Sequence, residues 1–386
     1  YVSVYQGDSR HLPLEDKSVS LVVTSPPYLG LRRYSGAQEL VWDDGWHGSF
    51  GLEPTVDLYI QHLMVFMDEI KRVLRDDGVV FWNLADSYAC SGKASGNERM
   101  LGGDKQRRNR GSLVAFRTPV SPSLRPKSLC LIPERFAIAA QEAGWIIRSR
   151  IAWTKANPMP QSTRDRPTSA WETIWMLTKQ ESYYWDQAAT RESHQQVSLR
   201  RWEYEARRQS NNGVKSQALG QMPANEVRLN PNGRNLRNVW QINPQPCGWE
   251  MCEACGTVYN ASQHGRLPSI EYGEENPETG EVEIKEAKRC RVCKGHEAWL
   301  THFAVFAEEI ARRAILAACP TAICRQCGKA RERIVEETGH INKREPAHVP
   351  LNTPTKVDST GWAPTRRATD KWTDCGHNDY EPGLVL

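Results

Sequence analysis

The sequence predicts an α/β fold organised on a mostly parallel sheet, and two observations carry that prediction. Apolar runs of strand length alternate with longer runs whose apolar residues recur at helical spacing. Glycine, proline and aspartate punctuate the boundaries between them.

In chain order, Val2 to Tyr5 alternates as a strand and ends at Gly7-Asp8, and Val19 to Thr24 is a second apolar strand bounded by prolines. From Val56 to Leu74 the residues Ile60, Leu63, Met64, Met67, Ile70 and Leu74 share one helical face, and Asp76-Asp77-Gly78 closes the helix. Val79 to Leu84 resumes as a strand. Pro133 to Ala143 reads as a helix with proline near its start and Gly144 just past its end, after which Trp145 to Trp153 returns to strand character. Trp171 to Thr178 is a further strand, and Thr301 to Ala318 is a helix expected to turn Phe303, Phe306, Ile310 and Ile315 toward the sheet.

Three stretches interrupt this rhythm. Ser91 to Lys127 is polar and basic with almost no apolar period, and is expected to be a mobile loop. Arg191 to Asn243 is rich in Arg, Asn and Gln, and Cys247 to His296 holds two CxxC pairs around an acidic, Gly- and Pro-containing segment.

Composition bounds the rest. At 386 residues, one elaborated catalytic domain with inserted modules accounts for the chain. The net charge of +4 permits a polyanionic partner but suits many ordinary enzymes as well. No apolar run approaches membrane-spanning length, so no membrane partner is expected. The chain opens at Tyr1 in an apparent strand, without a signal pattern or an initiator Met, which suggests that its ends are cut. Of eleven cysteines, six form three CxxC pairs in a long, signal-free sequence, which points to cytoplasmic zinc binding rather than disulfides.

The sharpest chemical feature is Thr24-Ser25-Pro26-Pro27-Tyr28, placed where the strand from Val19 ends. Ligands of open α/β sheets bind at the carboxyl ends of strands. Consecutive prolines fix φ and remove N–H donors, which leaves a stiff loop presenting acceptors only. Such a loop suits an exocyclic amino group, whose lone pair is delocalised into its ring. The Ser25 hydroxyl and the Pro26 carbonyl would take its two hydrogens and favour a pyramidal nitrogen. Tyr28 would offer a flat face to an extruded base. The competing reading is a proline-rich turn after a strand.

Two metal sites are expected. Cys252, Cys255, Cys290 and Cys293 form two knuckles able to place four thiolates around one zinc, with Cys247 and His296 as substitute ligands. Cys324 and Cys327 would be completed by Cys375 and His377, against the alternative of a redox or bare-thiol pair. Both ligand sets are saturated, so both zincs are read as structural.

In order along nearly the whole chain, these features resemble the permuted DNA amino-methyltransferases, in which the catalytic motif precedes the cofactor motif. The resemblance rests on Gly7-Asp8, SPPY at 25–28, Gly51 to Thr55, Gly78 to Tyr88, Trp153-Thr154-Lys155 with Asn157 and Pro158, and His302-Phe303-Ala304. It implies a Rossmann-like S-adenosylmethionine-dependent methyltransferase sheet with inserted zinc ribbons. It implies Ser25, Pro26, Pro27 and Tyr28 at the target amine and Asp8, Thr24, His302 and Phe303 at the cofactor. For Asp8 the competing reading is a turn-forming Gly-Asp, and for Phe303 it is helix packing.

SPPY is the form typical of cytosine-N4 enzymes, so that target is expected, with adenine-N6 as the alternative. The resemblance further implies double-stranded DNA as substrate, a restriction endonuclease as a candidate partner, and phosphate contacts from the basic loop at 91–127 and from Arg191 to Arg208. The implied organisation is a catalytic part over 1–190, a target-recognition region over 191–298 with a ribbon at 247–296, and a return to the catalytic fold over 299–386 with a second zinc site within 319–380. Carbon-5 methylation needs a Pro-Cys pair, and Cys319-Pro320 has the reverse order. One departure stands out: the chain stops at Pro382 to Leu386, where a glycine-containing FxGxG cofactor loop is expected to follow. A truncated, non-catalytic zinc-ribbon protein that binds nucleic acid is the reading from another class.

Overall fold

The structure is a computed structural model, and it describes residues 3, 7–30, 33–34, 39–89, 112–113, 124–158, 160–161, 163–201, 204, 232–245, 249–252, 255, 257–260, 267–275, 282–294, 299–300, 306–338, 348–350 and 365–386. All but Ser3 of the strand expected from Val2 to Tyr5, most of the basic stretch at 91–127, and His302-Phe303 lie outside these residues.

The main sheet has six strands: β1 (Val19–Thr24), β2 (Leu74–Leu84), β3 (Ile146–Thr154), β4 (Trp171–Thr178), β5 (Val239–Gln241) and β6 (Leu384–Val385). Their spatial order is β6-β1-β2-β4-β3-β5. Five run in one direction. Only β4 is reversed, antiparallel to β2 on one side and β3 on the other. The expectation of a mostly parallel sheet is therefore met, but the alternation of apolar runs gave no sign of the reversal. Among the described residues no helix lies between β3 and β4, and without a helical crossover the chain returns antiparallel.

Three helices cover the two faces. On one side, α1 (Val56–Val73) and α2 (Ile132–Glu142) bury Tyr59, Leu63, Met67, Ile132 and Phe136 against Val22, Val80, Trp82 and Leu177. On the other, α3 (Glu308–Ala318) sets Ile310, Ala314 and Ala318 against Leu21, Phe81, Ile174 and Trp240. Successive residues of β1 thus enter opposite cores, which is why Leu21, Val22 and Val23 are apolar in succession. α1 begins where the Thr55 hydroxyl accepts from the Leu58 amide at 3.1 Å, a cap contributing about 1 kcal/mol. Asp57 in its first turn and Lys71 and Arg72 in its last oppose the helix dipole favourably.

The late helix is shorter than its sequence period implied. It starts at Glu308 rather than Thr301, because Ala307 is already extended. Phe306 packs on the second core and Ile310 is fully buried, but Ile315 is exposed, since the buried stripe passes through the alanines instead. Val239–Gln241, inside the 191–298 span, pairs parallel with β3 and so belongs to the main sheet. Two smaller β modules depart from it. One joins Trp249–Cys252 to Val258–Asn260 and Trp299–Leu300, with a hairpin of Ser269–Glu275 and Val282–Lys288 between its cysteine pairs. The other joins Arg333–Thr338 to His348–Pro350 and Thr365–Trp372.

Candidate active site and metal centres

β1 delivers Thr24 opposite Trp82 of β2, and the chain then turns through Ser25-Pro26-Pro27-Tyr28 at the carboxyl end of the sheet. Two contacts hold this turn. The Tyr59 hydroxyl of α1 donates to the Pro27 carbonyl at 2.8 Å. The Gly30 amide donates to the Gly51 carbonyl at 2.7 Å. Gly51 adopts φ +88°, and a Cβ there would lie 3.1 Å from the Pro27 ring. The Gly-Leu-Glu segment is thus a platform under the prolines, and only glycine fits it without strain.

The platform has its own anchor. Glu53, fully buried in its side chain, accepts from the Gly51 amide at 2.9 Å and sits 2.9 Å from His62 Nδ1. The other ring nitrogen of His62 lies 3.2 Å from Asp44, and the ring stacks on Trp42 with centroids 3.7 Å apart. Burial pushes the Glu53 carboxyl up, against the pull of its bond to His62.

Ser25 is exposed, and its hydroxyl donates to the Tyr28 hydroxyl oxygen at 3.1 Å. The Tyr28 hydroxyl donates in turn to Glu172 Oε2 at 2.7 Å. The Asn83 side-chain amide donates to Ser25 Oγ at 3.3 Å and to Glu172 Oε2 at 3.0 Å, and it also bonds the Tyr28 hydroxyl. Lys155 is ion-paired with Glu172 Oε1. Burial, and then the neighbouring Glu172 carboxylate, push the Tyr28 phenol well above its ordinary range, so it is a neutral donor. The ring of Tyr28 is half-buried against the first core.

Asn83, Lys155 and Glu172 were not singled out from the sequence as site residues. A signal existed for two of them: Asn83 is the one polar side chain in Val79-Val80-Phe81-Trp82-Asn83-Leu84, and Glu172 interrupts the apolar run of β4. A polar residue retained in a strand buried on both faces needs a partner, and that partner is usually functional or structural.

Among the expected cofactor residues, Thr24 stands at the end of β1. Asp8 is partly exposed, with both carboxylate oxygens engaged by Arg10 at 2.7–3.1 Å, and this bonding holds its carboxyl below the usual range. Arg10 also donates to the Val41 carbonyl at 3.0 Å and lies over the Trp42 ring. At the C-terminus of α3, burial pushes the Cys319 thiol up to about 11, which keeps it protonated and unsuited to nucleophilic attack.

The eight expected metal ligands form two groups in space, each with its ligand atoms within 4.8 Å of one another. Cys252 and Cys293 sulfurs are 3.6 Å apart, as are those of Cys255 and Cys290. Tetrahedral Zn–S bonds of about 2.3 Å require sulfur separations of roughly 3.8 Å, so the first group fits a zinc. In the second, His377 Nδ1 lies 3.4 Å from Cys324 Sγ and 3.5 Å from Cys375 Sγ, again close to tetrahedral edges. Of the arginines in 191–208, Arg191 is used internally, donating to Gly233 and Gln187, whereas Arg200 and Arg201 are exposed. Among the described residues, no helix is long and apolar enough to cross a membrane.

Comparison with known proteins agrees with this geometry. A family model described as DNA methylase of the N6/N4 type matches residues 19–322. The Type II methyltransferase M.Cfr9I of Citrobacter freundii is 41% identical over 194 residues, covering 49% of this chain and 58% of that protein. The Type II methyltransferase M.XycI of Xanthomonas campestris pv. cyanopsidis is 41% identical over 248 residues, covering 63% of this chain and 65% of that protein. The chain thus spans about three-fifths of the length of these relatives. A solved PvuII DNA methyltransferase, described as cytosine-N4-specific, matches 55% of this chain and 64% of its own at 17% identity, with a TM-score of 0.32, too low to carry an argument.

Proposed function

The chain belongs to the N6/N4 DNA methylase family, and from that premise we propose that it methylates the exocyclic N4 nitrogen of cytosine in double-stranded DNA, with S-adenosylmethionine as methyl donor. The observation that carries this reading is the proline turn at the end of β1, which presents an exposed Ser25 hydroxyl whose oxygen accepts from Asn83. The donor supplies an electrophilic methyl group on a sulfonium. The chain's task is to orient an amine lone pair toward it and to withdraw a proton. Ser25 Oγ and the Pro26 carbonyl accept the two amino hydrogens, and Tyr28 bears the extruded base on the open part of its ring.

Thr24 and Asp8 would hold the donor, Asp8 as the hydrogen-bond partner of its adenine. An ionised, partly exposed carboxylate suits that role. By the family resemblance, His302 and Phe303 would serve the donor's methionine end. Zinc in the two clusters folds the modules at 247–296 and 319–380 and takes no part in the transfer. The 191–298 region, with Arg200 and Arg201 exposed, reads the DNA.

The test is methylation of duplex DNA followed by nucleoside analysis of the digest. Cytosine N4 is the expected product, and N6-methyladenine alone moves the assignment to the other amine. Ser25→Ala should lower turnover about 100-fold while DNA affinity stays within a factor of two. Wild-type turnover by that variant removes the loop from the chemistry.

A further inference from the structure

The acceptor loop continues inward as an ordered chain of donors that ends on a carboxylate. Ser25 donates to Tyr28 at 3.1 Å, and Tyr28 donates to Glu172 at 2.7 Å. Neither hydroxyl accepts its proton back from Glu172, so the polarity of the chain runs from the exposed serine to the buried end. Two cationic or neutral donors fix that end: Lys155 holds Oε1 and Asn83 holds Oε2. Glu172 is 13% exposed in its side chain and so is shielded from water by the residues it bonds. A hydrogen-bonded file of two hydroxyls between a reacting nitrogen and a carboxylate is a proton path.

Resting on the amine-methylation reading above, we propose that Glu172 is the terminal proton acceptor of the reaction, reached from Ser25 through the Tyr28 hydroxyl, with Lys155 and Asn83 as positioning residues. When the amine nitrogen bonds the methyl carbon and the C–S bond breaks with its electron pair left on sulfur, the nitrogen holds one proton too many. That N–H bond breaks onto Ser25 Oγ. The serine proton passes to the Tyr28 oxygen, and the phenol proton passes to Glu172 Oε2. The products are a neutral methylamine, a neutral thioether, unchanged serine and tyrosine, and a protonated Glu172, which returns its proton to solvent before the next turnover. The positive charge of the sulfonium and the negative charge of the carboxylate are both discharged, so charge balances.

The relay asks nothing of Tyr28 as an anion, since its proton leaves only as another arrives. Lys155 sets the far end by position: it holds Oε1 and leaves Oε2 facing the phenol. Asn83 occupies one lone pair of Ser25 Oγ, so the other lone pair is aimed at the incoming amine.

Glu172→Gln preserves shape and hydrogen bonding but cannot take the proton, and Tyr28→Phe removes the middle of the file. Each should lower single-turnover methylation 100-fold or more, and the double variant should be no slower than either single one, because the groups act as a unit. The acid limb of the wild-type pH–rate profile should vanish in Glu172→Gln and survive in Glu172→Asp, which a purely structural role would not produce. A readout independent of turnover is the titration of Tyr28, followed on ring-labelled tyrosine. Its pKa should fall in Glu172→Gln as the neighbouring charge is lost, burial still holding it above the ordinary phenol range. Near-wild-type turnover with an intact acid limb in Glu172→Gln, alongside a dead Ser25→Ala, overturns the relay and leaves the function standing. If Ser25→Ala is also fully active, the reading of the loop itself falls first.

Discussion

The Tyr59 hydroxyl, from the first turn of α1, donates to the carbonyl of Pro27 at 2.8 Å. This bond ties the helix directly to the turn that presents Ser25. Prolines stiffen a loop along the chain, but they do not fix where it sits over the sheet. Tyr59 supplies that fix, and burial keeps its phenol protonated and therefore a donor.

Tyr59→Phe keeps the ring in its apolar surroundings and leaves the Pro27 carbonyl without its partner. Stability should drop by about 1 kcal/mol, read from the urea midpoint at constant slope. Turnover should fall more than DNA affinity, since the loop rather than the docking surface is loosened. A variant as stable and as active as wild type shows that the prolines hold the loop unaided.

His62 lies between Glu53 and Asp44, with Glu53 fully buried. His62→Leu strands the Glu53 carboxyl in an apolar site, which should cost about 3–5 kcal/mol. Adding Glu53→Gln should recover part of that loss, because a neutral amide needs no counter-charge, and a double-mutant cycle measures the coupling. Strictly additive losses contradict a paired site. Since Glu53 also holds the Gly51 amide, both single variants should slow methylation as well.

The two cysteine clusters predict about two zinc ions per chain. Cys252→Ser and Cys327→Ser should each remove one of them, measured by elemental analysis. Chelation should open the 249–300 and 323–380 regions to protease while β1 to β4 remain protected, because the clusters lie in modules outside the core. Purified protein free of zinc, with both modules equally protease-resistant, ends the structural-metal reading.

Much of this was legible in the residues. The apolar runs of β1 and of β2 from Val79 onward, the helical face of α1, and the proline and glycine flanking α2 are local signals, set by propensity and period. The acceptor turn at 24–28 is local too, as proline chemistry needs no tertiary context to be read. The CxxC pairs announced ligands by spacing, and the two sets of four expected from the residues are the ones that lie together in space.

The sequence by itself determined the strand and helix order, the stiff acceptor turn and the metal-ligand inventory, because each depends on contacts among neighbours in the chain. Only the tertiary structure decided that β4 runs against the other five strands. That reversal carries Glu172, at the start of its strand, to the same edge as Ser25 and Asn83, at the ends of theirs. Strand direction depends on how a connection closes in space, and no period in the residues encodes it.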